Sequence, residues 1–145
     1  MNKHILVVDD SKEVADTKVL VIRNLGKGEF SAEAVYGGQA CLERLAKEPT
    51  VDLILLDMDM PMVNGADVIR TFLNMSNPPA RIVPMTAWGP GWVQHWGLIE
   101  LSETKAFRYW VWHETYDKAT DPQDLMDIVQ HALEDFPSDP RDAQE

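Results

Sequence analysis

The chain has 145 residues, 45% of them hydrophobic and 26% charged, which suits one globular domain built on a single core. Its net charge of -11 disfavours contact with nucleic-acid backbones and with anionic lipid. The sequence shows no membrane-length apolar run and no signal-peptide pattern, and its one cysteine, Cys41, excludes an internal disulfide, so a cytoplasmic location is expected.

His4 to Val8 (HILVV) reads as a buried strand that runs into Asp9 and Asp10. Ser11 then caps a helix whose stripe is Val14, Lys18, Val21, Ile22 and Leu25, ended by Gly26 and Gly28. Phe30 to Tyr36 alternates loosely, as a strand near a sheet edge does. Gly37-Gly38 turns the chain into a second helix carrying Cys41, Leu42 and Leu45 and closed by Pro49, in which Cys41 reads as a small buried apolar residue. Leu53 to Leu56 has no polar break and stops on Asp57, the pattern of a parallel strand buried on both faces. Asp59, Pro61 and the Asn64-Gly65 pair then turn the chain sharply. A third helix follows with Val68, Ile69 and Phe72 on its inner face, and stops before Asn77-Pro78-Pro79. Arg81 to Ala87 (RIVPMTA) reads as a fourth strand ending at Thr86.

All five tryptophans, Trp88, Trp92, Trp96, Trp110 and Trp112, fall between Trp88 and Asp117. The first three are four residues apart and would share one side of a helix. Structurally, that helix is expected to pack on a fifth strand, FRYWVW, from Phe107 to Trp112; functionally, tryptophan clusters also mark partner surfaces. Asp121 caps the last helix, Pro122 suits its first position, and Leu125, Ile128, Val129, Ala132 and Leu133 form its apolar face. Strand and helix alternate throughout, which predicts a parallel sheet covered on both faces. The domain is expected over residues 1–136, with 137–145 as a flexible acidic tail and no output domain.

In such a sheet Asp9, Asp10, Asp57 and Asp59 emerge near one C-terminal edge, where open α/β sheets bind ligands. Crowded carboxylates repel, and a hard cation resolves the conflict; Mg²⁺, which prefers one or two carboxylates and a substrate phosphate, is the natural occupant. A carboxylate beside a metal can attack a phosphoryl group and form an acyl phosphate. Thr86 offers a hydroxyl donor at the end of the neighbouring strand, and Lys118 a cation just before the last helix.

With these residues in place, the chain resembles the receiver domains of two-component response regulators over roughly residues 3 to 134. The matching motifs are ILVVDDS, LILLDMDMPMVNG, PMTA and KATDPQDL. The resemblance implies the flavodoxin-like fold, a five-stranded parallel sheet in the order 2-1-3-4-5 with helices on both faces. It implies that Asp57 accepts a phosphoryl group from a phosphohistidine on a sensor histidine kinase docked around the first helix. Asp9, Asp10, Asp57 and the backbone carbonyl of Asp59 would hold Mg²⁺, while Thr86 and Lys118 would contact the phosphoryl group. It further implies a conformational change read by a downstream protein, or by a second copy in a homodimer, at the fourth helix, fifth strand and fifth helix. Such a protein is a phosphoacceptor and not a turnover enzyme.

The chain departs from the family's pattern in two places. Ala119 follows Lys118 where the family normally has proline, and the interval from Thr86 to Lys118 is longer than usual. An alternative register would put Trp112 at the lysine position, and Tyr109, Trp112 and Tyr116 compete for the family's switch aromatic. These departures raise a second reading, a receiver-like binding module that signals without phosphorylation. A third takes Asp57-Met58-Asp59 as the Asp-x-Asp of a haloacid-dehalogenase-type phosphatase, although that motif belongs on a first strand.

Overall fold

The structure, a computed structural model, describes residues 2–48, 50–76, 78–117 and 121–135. Strands β1 (Lys3–Val8), β2 (Phe30–Val35), β3 (Leu53–Asp57) and β4 (Arg81–Met85) form one parallel sheet in the order β2-β1-β3-β4. Helices α1 (Lys12–Leu25), α2 (Gly38–Lys47) and α3 (Gly65–Leu73) connect them in turn. After β4 come a 3-10 turn at Gly89–Gly91 and three short helices, α4 (Trp92–His95), α5 (Ile99–Ser102) and α6 (Lys105–Trp110). The last helix is α7 (Pro122–Glu134). No helix among the described residues is long and apolar enough to cross a membrane.

Because successive strand residues point to opposite faces, the sheet divides the core in two. Ile5, Val7, Leu53, Leu55, Val83 and Met85 pack against α1 and α7. Leu6, Val8, Ile54, Leu56 and Ile82 pack against α2, α3 and the short helices. Every residue of β3 is buried, as its unbroken apolar run requires of a strand covered on both sides. Cys41 lies fully buried on α2, and burial pushes its thiol up to about 12, so it serves as packing.

The predicted helix starts hold. The Ser11 hydroxyl accepts from Val14 N–H at 3.3 Å, and Asp121 Oδ1 accepts from Gln123 N–H at 2.9 Å, with Pro122 next. Each such cap stabilises a helix by about 1 kcal/mol. The inner face of α1 is Ala15, Lys18, Val19 and Ile22, so Val14, Val21 and Leu25 lie to the side of the expected stripe.

Two larger expectations, about whole elements, fail after β4. The fifth strand is absent among the described residues, and the sheet ends at β4. Phe107 to Trp110 forms the body of α6, started by Thr104, whose hydroxyl accepts from Phe107 N–H at 3.2 Å. What remains beside β4 is two isolated parallel bridges, Ile82 with Val111 and Met85 with Tyr116. Three steps along β4 face five along the other segment, so two extra residues bulge out between the bridges. The carbonyls of Ile82 and Pro84 accept from Trp112 and Tyr116, which turns these residues' backbone groups outward. Pro84 has no N–H to give there, and the ladder loses its middle donor.

Nor do the first three tryptophans share a helix packed on that strand. Trp88 precedes the 3-10 turn and is 55% exposed, Trp92 is buried on α4, and Trp96 caps that single helical turn. The helix breaks because Gly89 takes φ +59° and Pro90 follows it.

Arg81 fastens this region to the sheet. It is 5% exposed, donates to Tyr109 O at 3.2 Å and Ala132 O at 3.4 Å, and lies 5.0 Å from the centre of the Trp112 ring. The cation thus meets the C-terminal turns of both α6 and α7, where carbonyls lack helical partners. Arg81→Met should lower stability by about 2 kcal/mol in urea unfolding, the scale of hydrogen bonds to a charged group; an unchanged midpoint would show that the guanidinium does not fasten these helices.

Candidate functional site

The pairing of β1 with β3 aligns Val8 with Leu56, so the next residues, Asp9 and Asp57, leave the sheet side by side. Both carboxylates are nearly out of water, at 1% and 2% exposure, while Asp10 stays exposed. Oxygen atoms of Asp9, Asp10 and Asp57 all lie within 4.8 Å of one another. Backbone donors steady two of them. Ser11 N–H donates to Asp9 Oδ1 at 2.9 Å, and Asp59 N–H donates to Asp57 Oδ1 at 3.1 Å.

The loop after β3 is held close to the sheet. Gly65 N–H donates to Met58 O at 3.0 Å, and a Cβ on Gly65 would lie 2.5 Å from Met58 Sδ and 2.6 Å from Met58 Cα. Only glycine lets α3 begin so near the acid. Asn64 and Asp67 then form a reciprocal capping box that fixes the helix start. On the far side, a Cβ on Gly38 would fall 2.3 Å from Val63 O, so α2 also starts hard against this loop.

A cavity of about 130 Å³ opens beside Asp57, lined by Asp57, Asp59, Met85, Thr86, Ala87, Trp88 and Asp117. Thr86 is 8% exposed; its N–H donates to Tyr116 O at 2.7 Å, and its hydroxyl oxygen accepts from Trp88 N–H at 3.3 Å. The structure therefore brings Asp9, Asp10, Asp57, Asp59 and Thr86 to one edge. Lys118 and Ala119 lie outside the described residues.

The competing aromatics separate. Tyr109 is buried on α6, and Trp112 donates its N–H to Ile82 O, four residues before Thr86, and is not among the residues that line the cavity beside Asp57. Of these three, Tyr116 meets Thr86, through its backbone carbonyl. Asp117 and Trp88, both lining the cavity, had no assigned place in it on sequence grounds; Trp88's position two residues after Thr86 was the available signal.

The three clustered acids form an all-oxygen donor set partly withdrawn from water, which fits a hard divalent cation such as Mg²⁺. If they share a charge conflict that such a cation relieves, Asp10→Asn in chelator should raise the thermal midpoint by about 2–4 °C. Added Mg²⁺ should then stabilise the wild type more than the variant; equal gains in both would remove Asp10 from the set.

A family profile described as the response regulator receiver domain matches residues 5–92. The transcriptional regulatory protein CutR of Streptomyces coelicolor is 35% identical over 85 residues, covering 59% of this chain and 37% of that protein. The DNA-binding response regulator MtrA of Mycolicibacterium smegmatis is 38% identical over 87 residues, covering 60% of this chain and 36% of the relative. The chain thus spans only about a third of the length of these relatives. Among solved structures, a CheY-like receiver domain protein from Methanospirillum hungatei superposes with a TM-score of 0.72 at 25% identity, over 91% of this chain and 94% of the other. A receiver domain protein from Clostridium thermocellum gives 0.68 at 20% identity, over 91% and 94%, a likeness of fold.

Proposed function

Since the chain belongs to the response regulator receiver family, we propose that it is a phosphorylation switch whose acceptor is Asp57. The donor is a phosphohistidine on a sensor histidine kinase. An Asp57 carboxylate oxygen attacks phosphorus, the bond from phosphorus to the imidazole nitrogen breaks, and the imidazole leaves with the electron pair. The observation that carries this reading is the meeting of Asp9, Asp10 and Asp57 within 4.8 Å beside a cavity that Thr86 also lines.

Asp9, Asp10, Asp57 and the carbonyl of Asp59 would hold Mg²⁺, which when bound offsets negative charge between acceptor and phosphoryl oxygens. The chain's own groups do the rest. Asp59 N–H fixes one oxygen of Asp57. Thr86 can donate a hydrogen bond from its hydroxyl to a phosphoryl oxygen; among the described residues the hydroxyl oxygen accepts from Trp88 N–H. Lys118 is the proposed cationic contact.

Thr86 N–H is bonded to Tyr116 O, so movement of Thr86 toward a phosphoryl group would draw on the segment beside β4. In a receiver this change is passed on by contact with another protein, or with a second copy, through the short helices, the 111–117 segment and α7. The relatives named as DNA-binding or transcriptional regulators are longer proteins. For these 145 residues, with 24 acidic against 13 basic side chains, a protein surface is the better partner than a phosphate backbone. The protein so described is a cytoplasmic phosphoacceptor with self-catalysed phosphorylation and dephosphorylation, not a turnover enzyme.

Incubation with a small acyl-phosphate donor and Mg²⁺ should label the wild type once per chain and leave Asp57→Asn unlabelled. Thr86→Ala should slow labelling by roughly ten-fold or more. Label retained by Asp57→Asn would overturn the assignment, and a wild type that binds Mg²⁺ but takes no label would favour the phosphorylation-independent binding module.

A further inference from the structure

The loop from Met58 to Gly65 follows β3 and is closed at its ends, where Gly65 N–H donates to Met58 O at 3.0 Å. Within it Met58 and Met60 are buried in the core, at 0% and 5% exposure. Met62 does the opposite. It is 98% exposed, so its side chain is left almost wholly to solvent. Its backbone takes φ +65°, the left-handed conformation that favours glycine and that side-chain-bearing residues rarely adopt. The neighbours hold it there: Pro61 precedes it, Val63 O lies against Gly38, and Asn64 is locked in the capping box with Asp67. A strained position that returns no burial points to function and not to stability. The chemistry on offer is that of a thioether. Among the described methionines no other is open to solvent: Met85 and Met126 are 3% exposed or less, and Met75 is half-buried against the core.

We propose that Met62 is a redox-modification site, which takes one oxygen atom from a peroxide and becomes methionine sulfoxide. The thioether sulfur loses two electrons as its bond to oxygen forms, the peroxide O–O bond breaks, and water leaves. Because the side chain supports no core contact and the loop is fixed by other residues, the fold and the acid cluster are left as they were. What changes is the surface. A flexible apolar arm becomes a polar one with a strong hydrogen-bond acceptor, five residues after Asp57 and three after Asp59. A protein that recognises this loop therefore meets a different group in oxidising conditions, and methionine sulfoxide reductases restore the original one. A sulfoxide at the buried methionines would instead disrupt packing. None of this chemistry passes through a phosphoryl group, so the site stands whether or not Asp57 is an acceptor.

Limiting hydrogen peroxide on the folded chain, followed by peptide mass spectrometry, tests this. Met62 should gain one oxygen at least about ten-fold faster than Met58, Met60, Met85 and Met126. The thermal midpoint of the protein oxidised at Met62 should stay within about 1 °C of the untreated value. Met62→Gly should remove the fast oxidation without lowering the midpoint, because φ +65° suits glycine. A methionine sulfoxide reductase with thiol should return Met62 to the thioether. Oxidation as fast at any other methionine from Met58 to Met126 would overturn the proposal. A midpoint that falls in Met62→Gly, or on oxidation of Met62 itself, would show that the side chain serves the fold and would overturn it as well.

Discussion

Everything at the sheet's C-terminal edge depends on one alignment, the in-register parallel pairing of β1 with β3. Val8 opposite Leu56 places Asp9 opposite Asp57, and a slip of one residue would turn one of the two carboxylates to the other face of the sheet. The apolar side chains that fix this register also remove the acids from water, since the buried faces continue up to the last strand residue. The core and the site are therefore one construction. Burial that holds the strands is what brings the two carboxylates together out of water at this edge.

The loops convert this edge into a pocket. Gly65 and Gly38 let two helix starts press onto the loop after β3 closer than any side chain would allow, while the Asn64–Asp67 box and the Asp59 N–H bond fix its course. Across the cavity, Thr86 is connected through its N–H to the 111–117 segment and through its hydroxyl to the Trp88 backbone. Thr86 thus bonds directly to two different segments, the one beside β4 and the loop that leads into α4.

The first half of the chain was legible because its signals were redundant. The LILLD run, the acid pair and the helix caps each point to the same element, and local and tertiary preferences agree. The second half misled for a definite reason. FRYWVW is apolar at every position but Arg108, and such a run fits a helix or a strand equally well by period. Thr104, three residues before Phe107, was the capping signal that decides for a helix, and Pro84 was the signal that β4 would make a poor neighbour for a further strand. The stripe of α1 was misplaced by a milder version of this problem, because apolar residues occur on more than one side of α1: Ala15 and Val19 are buried, while Leu25 is exposed. The two cavity residues without an assigned place, Trp88 and Asp117, sit in loops where spacing says little about direction.

Pro84 and the two-residue bulge beside it have a bearing on how copies of this protein behave toward each other. A parallel sheet that stops at four strands would ordinarily present a straight row of donors and acceptors, onto which a strand from another molecule could add. Here the row is broken where Pro84 lacks its N–H, and the segment lying along it is kinked away between its two bridges. The same irregularity that costs the sheet its fifth strand guards its border against edge-to-edge aggregation.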